Sequence, residues 1–287
     1  MLVRTYSEYH LGDQLIHLNY LRKVCEFNPN TEAIHYCKQE YIPQLLPLCE
    51  NLPITLQDLT HNKDAVNSWI GTDGYFYRSP LKRNWVAFHL DWFSHLSNQL
   101  GVMNPMQHPD AFLFNYPALE KGKHPKYDVL IINSVPMSNQ LTDYNPWFFQ
   151  NMVKKYLADD HTVMTTLPTG LCQSTLELGM SVTDIGCLSK TVKIIQAVDT
   201  GPLWTTYNKW NKEAHRTVYG TTSDVLPLNT VTKQRLAKIH IFFMRGRGGG
   251  HVHYTPKSPI GQCALTSQYV SYYSLPYPWL VSTCFNI

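Results

Sequence analysis

The chain has 287 residues, 44% hydrophobic and 16% charged, which excludes a disordered polypeptide and leaves room for two domains of ordinary size. A formal net charge of +3, with no long Lys/Arg run interleaved with aromatics, excludes a dedicated nucleic-acid surface. Seven cysteines without a C-x-x-C pair read as reduced, mostly buried thiols; with no leader-like N-terminus and no apolar run near the roughly 20 residues of a membrane helix, a soluble, cytoplasmic protein is expected.

The first element reads as a strand over residues 2–6, followed by a tight turn through Gly12 and a helix over about 13–24. Leu11, Leu15, Leu18 and Leu21 recur at helical spacing and give that helix one apolar face. A strand at 33–37, a helix-like stretch at 39–48 interrupted by Pro43 and Pro47, and a strand at 54–59 come next. This alternation signals a parallel sheet. Trp85, Phe88, Trp92, Leu96 and Leu100 mark an amphipathic helix whose aromatic stripe is expected in the core, with Gly101 as its C-terminal cap.

Pro105, Pro109, Pro117 and Pro125 punctuate a stretch without periodicity between 103 and 127, which is expected to separate a domain at 1–124 from one at 125–287. Residues 127–133 then form an apolar run of the kind a central parallel strand shows when buried on both faces. Beyond it a helix is expected near 146–156, a strand at 162–166, a helix near 172–178, a strand at 181–185, a helix starting near Leu188, and a strand ending at Asp199. From about 211 no regular layer is assigned, although 236–244 reads as one more helix or strand.

Two loops occupy equivalent places in the two α/β units. His10-Leu11-Gly12-Asp13 precedes the first helix, and Asp199-Thr200-Gly201-Pro202 follows a strand and opens a short helix. In such sheets ligands bind beyond the strands' carboxyl ends, where helix N-termini attract phosphate. Each loop has a purely structural reading as well: Asp13 as a helix cap, and Asp199–Pro202 as a cap followed by Pro in a first helical turn.

Together, the Gly-Asp turn after the first strand, a second Rossmann-like unit and a strand ending in Asp-Thr-Gly-Pro resemble the heptosyltransferase-like glycosyltransferases of the GT-B fold. The resemblance covers about residues 1–24 and 127–208. It implies two Rossmann-like domains facing across a cleft and a hexosyl- or heptosyl-type transferase, with a nucleotide-sugar donor and a glycan or other hydroxyl acceptor. It makes Asp13 the candidate catalytic base and Gly12, Asn133, Ser134, Asp199, Thr200, Gly201 and Pro202 the candidate donor-binding residues. The chain departs from the family at Trp204, where a His is common, and between Leu188 and Asp199, where the interval is short.

Glycosyl transfer needs a base for the acceptor hydroxyl and stabilisation of the departing diphosphate. A carboxylate in a cleft serves the first need, and helix N-termini with hydroxyls serve the second. No Asp-x-Asp motif is evident, so metal-independent transfer without a cofactor is expected. His240, His251 and His253 lie near one another without Cys or carboxylate at ligand spacing and read as surface histidines; residues 245–250 lack the Gly-Lys-Ser/Thr ending of a phosphate loop and read as a flexible connector. A non-catalytic nucleotide- or sugar-binding protein and a nucleotide-sugar epimerase are the competing readings.

Overall fold

The computed structural model describes residues 1–62, 64–75, 85–107, 109–121, 124–135, 144–211 and 214–220, together with strands at 239–245, 248–255 and 262–264.

Strand β1 (Leu2–Tyr6) feeds helix α1 (Leu11–Phe27), which returns the chain to β2 (Glu32–Cys37). Leu15, Leu18, Leu21 and Val24 are fully buried along one side of α1, as their spacing dictates. The helix starts earlier than expected. His10 is its extended N-cap residue, so Gly12 belongs to the first helical turn and not to a turn before it. Pro43 and Pro47 break the next stretch into a 3-10 turn, the short α2 (Ile42–Leu45) and a second 3-10 turn, because proline removes a donor and clashes with the preceding turn. Then come β3 (Ile54–Asp58) and the two-residue β4 (Val66–Asn67), too short to be legible in the sequence. These strands form an all-parallel sheet in the order β3-β2-β1-β4. Helix α3 (Trp85–Leu100) buries Phe88, Trp92 and Leu96 as expected, and Gly101 ends it at φ 66°, a left-handed conformation suited to glycine.

The second sheet is built from β5 (Val129–Ile132), β6 (Val163–Thr165), β7 (Ile194–Val198), β8 (His215–Gly220), β9 (Ile239–Arg245), β10 (Gly248–Thr255) and β11 (Gln262–Ala264). Its order is β11-β10-β9-β8-β7-β5-β6, parallel from β6 to β9 and antiparallel beyond. Gly248–Gly250 pair with β9, so this part of the expected connector is strand, and His240 stands opposite His253 in the same ladder. Helix α5 (Pro146–Ala158) starts on Asn145, whose side chain accepts from the Trp147 N–H at 3.0 Å.

Three sequence readings are overturned between β6 and β7. Residues 172–178 form turns, with Ser174 bridged to Thr165, instead of a helix. The expected strand at 181–185 is the start of helix α6 (Val182–Ser189). Val182, Thr183 and Ile185 suggest a strand by β-branching, but a capping box overrides them: Ser181 Oγ accepts from the Asp184 N–H at 3.2 Å, and Asp184 Oδ2 accepts from the Ser181 N–H at 2.8 Å. The helix expected to start near Leu188 is overturned as well: α6 ends at Ser189, which accounts for the short interval before Asp199.

The proline-punctuated stretch is packed, not loose. It carries α4 (Pro117–Lys121), and Phe112, Phe114, Tyr116 and Leu119 are buried. It bonds to both units: Asn19 of α1 donates to Ala111 O at 3.0 Å, and the Phe114 N–H donates to Tyr207 O at 2.7 Å. One hydrophobic cluster accordingly joins Leu15, Leu18 and Leu21 to Leu130, Ile132 and Leu203.

Candidate functional site

Each sheet reverses its direction of growth once, and ligands in open α/β sheets lodge at that point, beyond the strands' carboxyl ends. In the first sheet β1 is flanked by β2 and by the late-arriving β4, so the switch lies between the ends of β1 and β4. In the second, the chain passes from β5 to β6 on one side and then to β7 on the other. That switch lies beyond Ile132 and Ala197, which face each other in register.

A small pocket, with room for a water or so, opens to solvent at the first switch point. Ser7 follows β1, Ser68 and Trp69 follow β4, Asp13, Ile16 and His17 come from α1, and His89, Trp92 and Phe93 from α3. Asp13, Ile16 and His17 share one helical face because they stand at i, i+3 and i+4. Trp92 Nε1 donates to Ser68 O at 3.1 Å, and Ser68 Oγ donates to Tyr6 O at 3.0 Å, which fixes the β4 end against β1. The Trp69 indole stacks on the Tyr9 ring at 3.8 Å, and a Cβ on Gly71 would come within 2.1 Å of it, so that position admits only glycine.

Asp13 stands third in α1, in its first turn, with its carboxylate near the backbone N–H groups of His10 and of Asp13 itself. It is therefore not the N-cap residue. Burial raises its pKa from 3.8 to about 6, against the opposing pull of His10 and those N–H groups. Behind it runs a buried polar chain. Gln14 Nε2 donates to Ser7 O at 3.1 Å and to Tyr9 O at 3.0 Å, while Gln14 Oε1 lies 2.7 Å from His35 Nε2. His35 Nδ1 and His17 Nε2 both lie 3.0 Å from Thr5 Oγ1.

The remaining candidates gather at the second switch point. Asn133 is committed to the scaffold: its Oδ1 accepts from Thr166 N, Thr166 Oγ1 and Leu167 N at 3.1, 3.0 and 2.8 Å, and its Nδ2 donates to Leu167 O at 3.2 Å. Ser134 Oγ lies 2.9 Å from Thr166 Oγ1, whose proton goes to Asn133, so the Ser134 hydroxyl donates to Thr166. Asp199 follows β7 with its N–H on Tyr219 O, and Thr200 is the N-cap residue of α7 (Gly201–Trp204), with its hydroxyl donating to Val198 O at 3.3 Å. In that first turn Pro202 has no N–H, and the Leu203 N–H already bonds Thr200 O at 3.0 Å.

The two glycines meet. A Cβ on Gly12 would stand 3.2 Å from Trp204 Nε1 and 3.6 Å from Gly201 Cα, and one on Gly201 would stand 3.1 Å from Leu11 Cγ and 3.2 Å from Gly12 N. Both glycines thus serve close approach of α1 and α7, and Trp204, 7% exposed, fills the junction where the family commonly has His. Ser7, His17, Ser68 and Trp69 were missed by sequence reasoning. Only the i, i+3, i+4 relation of Asp13, Ile16 and His17 signals any part of this pocket, since β4 is too short to announce the rest.

Behind α7, Arg216 of β8 is 1% exposed, donates through Nη2 to Asn211 Oδ1 at 2.7 Å and to Thr206 O at 2.5 Å, and lies 4.8 Å from the Tyr207 ring centroid. Burial lowers its pKa to about 10, so it stays charged and braces the segment following α7. Burial likewise pushes the thiols of Cys25 and Cys37 up to about 11 and that of Cys49 to about 12, as inert core cysteines require. Among the described residues no three His, Cys, Asp or Glu side chains cluster as a metal site, and no helix is long and apolar enough to cross a membrane.

Two α/β sheets, parallel but for the β9–β11 end of the second, meet where the N-termini of α1 and α7 touch and define a GT-B-like fold of the heptosyltransferase kind. The solved structures it resembles include the ADP-heptose lipopolysaccharide heptosyltransferase II of E. coli, with a TM-score of 0.53 and 10% identity, covering 86% of this chain and 92% of that one. E. coli heptosyltransferase WaaC with ADP-2-deoxy-2-fluoro heptose gives 0.51 and 10% identity over 78% of this chain and 90% of that one. The chain spans 60% of the length of the iron-containing dodecameric glycosyltransferase TibC from enterotoxigenic E. coli, at a TM-score of 0.48 and 11% identity over 78% of this chain. No family model and no curated protein matches the sequence.

Proposed function

We propose that this protein is a cytoplasmic glycosyltransferase of polysaccharide biosynthesis, moving a hexosyl or heptosyl group from a nucleotide-sugar donor to a glycan or other hydroxyl acceptor without a metal. The observation that carries the reading is the meeting of two switch points, one with a pocket beside Asp13 and the other ending in Ser134 and Asp199–Pro202. Residues 1–124 form the acceptor-side domain in this reading and 125–287 the donor-side domain.

Asp13, with a pKa of about 6, is mostly ionised at neutral pH yet more basic than an ordinary carboxylate, which suits a general base. It takes the acceptor proton as the acceptor oxygen bonds to the anomeric carbon and the bond from that carbon to the diphosphate breaks, the electron pair leaving with the nucleoside diphosphate. The Gly201 N–H and the hydroxyls of Thr200 and Ser134 stabilise that leaving charge, the hydroxyls turning from Val198 O and Thr166 to do so.

A second reading, a non-catalytic nucleotide- or sugar-binding protein, is favoured by the few amide donors in the first turn of α7 and by Trp204 at its end. Thermal-shift measurements with ADP, UDP, GDP and their sugar conjugates test both. Binding at 100-fold excess over Kd stabilises the fold by about 2.7 kcal/mol, a readily measured rise in Tm. Failure of every nucleotide to raise Tm overturns the proposal, and binding without transfer or hydrolysis of any sugar conjugate selects the second reading.

A further inference from the structure

The two faces of the first sheet are treated differently. Val3, Ala33 and Ile54 point to one side, where they join Leu18 of α1, Leu45 of α2 and Trp92 of α3 in a single hydrophobic cluster. Right-handed crossovers require this for α1 and α2, because β1, β2 and β3 succeed one another in one direction across the sheet. The other side carries Leu2, Arg4 and Tyr6 of β1, Glu32 and Ile34 of β2 and Thr55 of β3. Leu2 is 41% exposed, Arg4, Glu32 and Thr55 are exposed, and Tyr6 and Ile34 are only half-buried. Neither hydrophobic cluster takes in Leu2, Tyr6 or Ile34. Tyr36, nearer the carboxyl end of the strands, is buried, so the open part is the amino-terminal half of this face. An all-parallel sheet is ordinarily covered on both faces.

We propose that this open half-face is a contact between two copies of the chain. Its charges select that occupant. In the parallel register Leu2 lies beside Glu32 and Arg4 beside Ile34, so the apolar pair and the charged pair sit on crossed diagonals. Neither Arg4 nor Glu32 makes an ion pair with another described residue. A two-fold axis lying between two such faces along the Leu2–Ile34 diagonal sets Arg4 of each copy against Glu32 of the other, and Leu2 and Ile34 against their own counterparts. The strands of the two sheets then cross steeply, as in orthogonal sheet packing. A partner of one charge, such as a nucleic acid or an anionic membrane, would set one of the two residues against a like charge, whereas a second copy satisfies both. The patch is smaller than a standard interface, so the dimer should be reversible, with a dissociation constant in the micromolar range. It lies toward the amino ends of the strands, away from the switch point beyond their carboxyl ends, and leaves that site open in both copies. The inference does not depend on the transferase reading.

Sedimentation velocity of the full chain across micromolar concentrations tests it. The wild type should pass from monomer to dimer over that range. Arg4→Glu and Glu32→Arg each bring like charges together twice in the dimer, and each should weaken association about a hundredfold or more. Mixing these two variants restores opposite charges at both contacts and should give a one-to-one heterodimer about as tight as the wild-type dimer. Leu2→Asp, which sets two acids against each other on the axis, should also dissociate the dimer. All three positions are exposed, and far-UV circular dichroism checks that each variant folds. A wild type that stays monomeric throughout, a folded variant of the three that dimerises at wild-type strength, or a mixture of the two charge variants that does not associate each overturns the proposal.

Discussion

Replacing Asp13 with Asn separates its chemistry from its structural role, because the two predict opposite changes in stability. The folded-state pKa of about 6, against 3.8 ordinarily, means that the ionised carboxylate disfavours the fold wherever the pH exceeds 6. A raised carboxyl pKa contributes stability that is fully present below the unfolded value and lost as pH rises through the folded one. The shift of about two pH units corresponds to ~3 kcal/mol as an upper bound, at about 1.4 kcal/mol per unit. Against it stands the loss of a negative charge in the first turn of α1, about 0.3–1 kcal/mol. Asp13→Asn should therefore stabilise the protein by about 1–2 kcal/mol at pH 8, and the gain should close as the pH falls from about 6 to 4. Urea denaturation of both proteins at pH 4, 6 and 8 measures this, and transfer from the donor identified by thermal shift is assayed alongside. Loss of the base should slow transfer roughly 100-fold or more. A variant no more stable than wild type at pH 8 that still transfers at the wild-type rate would refute both the buried-charge argument and the base assignment, leaving Asp13 as a helix-start residue.

Gly201→Val places a branched side chain against Leu11 and Gly12, so it should lower the ligand-free Tm by an amount equivalent to about 1–3 kcal/mol, and an unchanged Tm would show that α1 and α7 are not in contact. The same variant is thus a poor probe of phosphate binding alone, because the added carbons meet protein before they meet any ligand. Ser181→Ala removes one half of the capping box of α6 and should cost about 1 kcal/mol in chemical denaturation, with no effect on nucleotide-induced stabilisation; a cost within error of zero would return residues 181–185 to the strand that their β-branching suggests.

Periodicity and chain punctuation by themselves determined β1, α1, α3, β5, α5 and the alternation that makes a parallel α/β protein, because amphipathic repeats and buried apolar runs are local consequences of where the core must lie. The passage from β1 into α1 and the Asp-Thr-Gly-Pro loop were legible too, since a strand passing into a helix is written in adjacent residues, although Gly12 and Asp13 lie inside the helix and not before it. Where local signals conflict the sequence misleads: at 181–185 branched side chains argue for strand, and a reciprocal cap of two side-chain bonds decides for helix. Tertiary structure alone decided that the two glycines face each other, that Asn133 is consumed by Thr166 and Leu167, and that Ser7, Ser68, Trp69 and His17 share one pocket. Those facts depend on a strand order that brings β4 beside β1, and on burial that sets the charge of Asp13. Both are sums over residues far apart in the chain, and no window of sequence contains them.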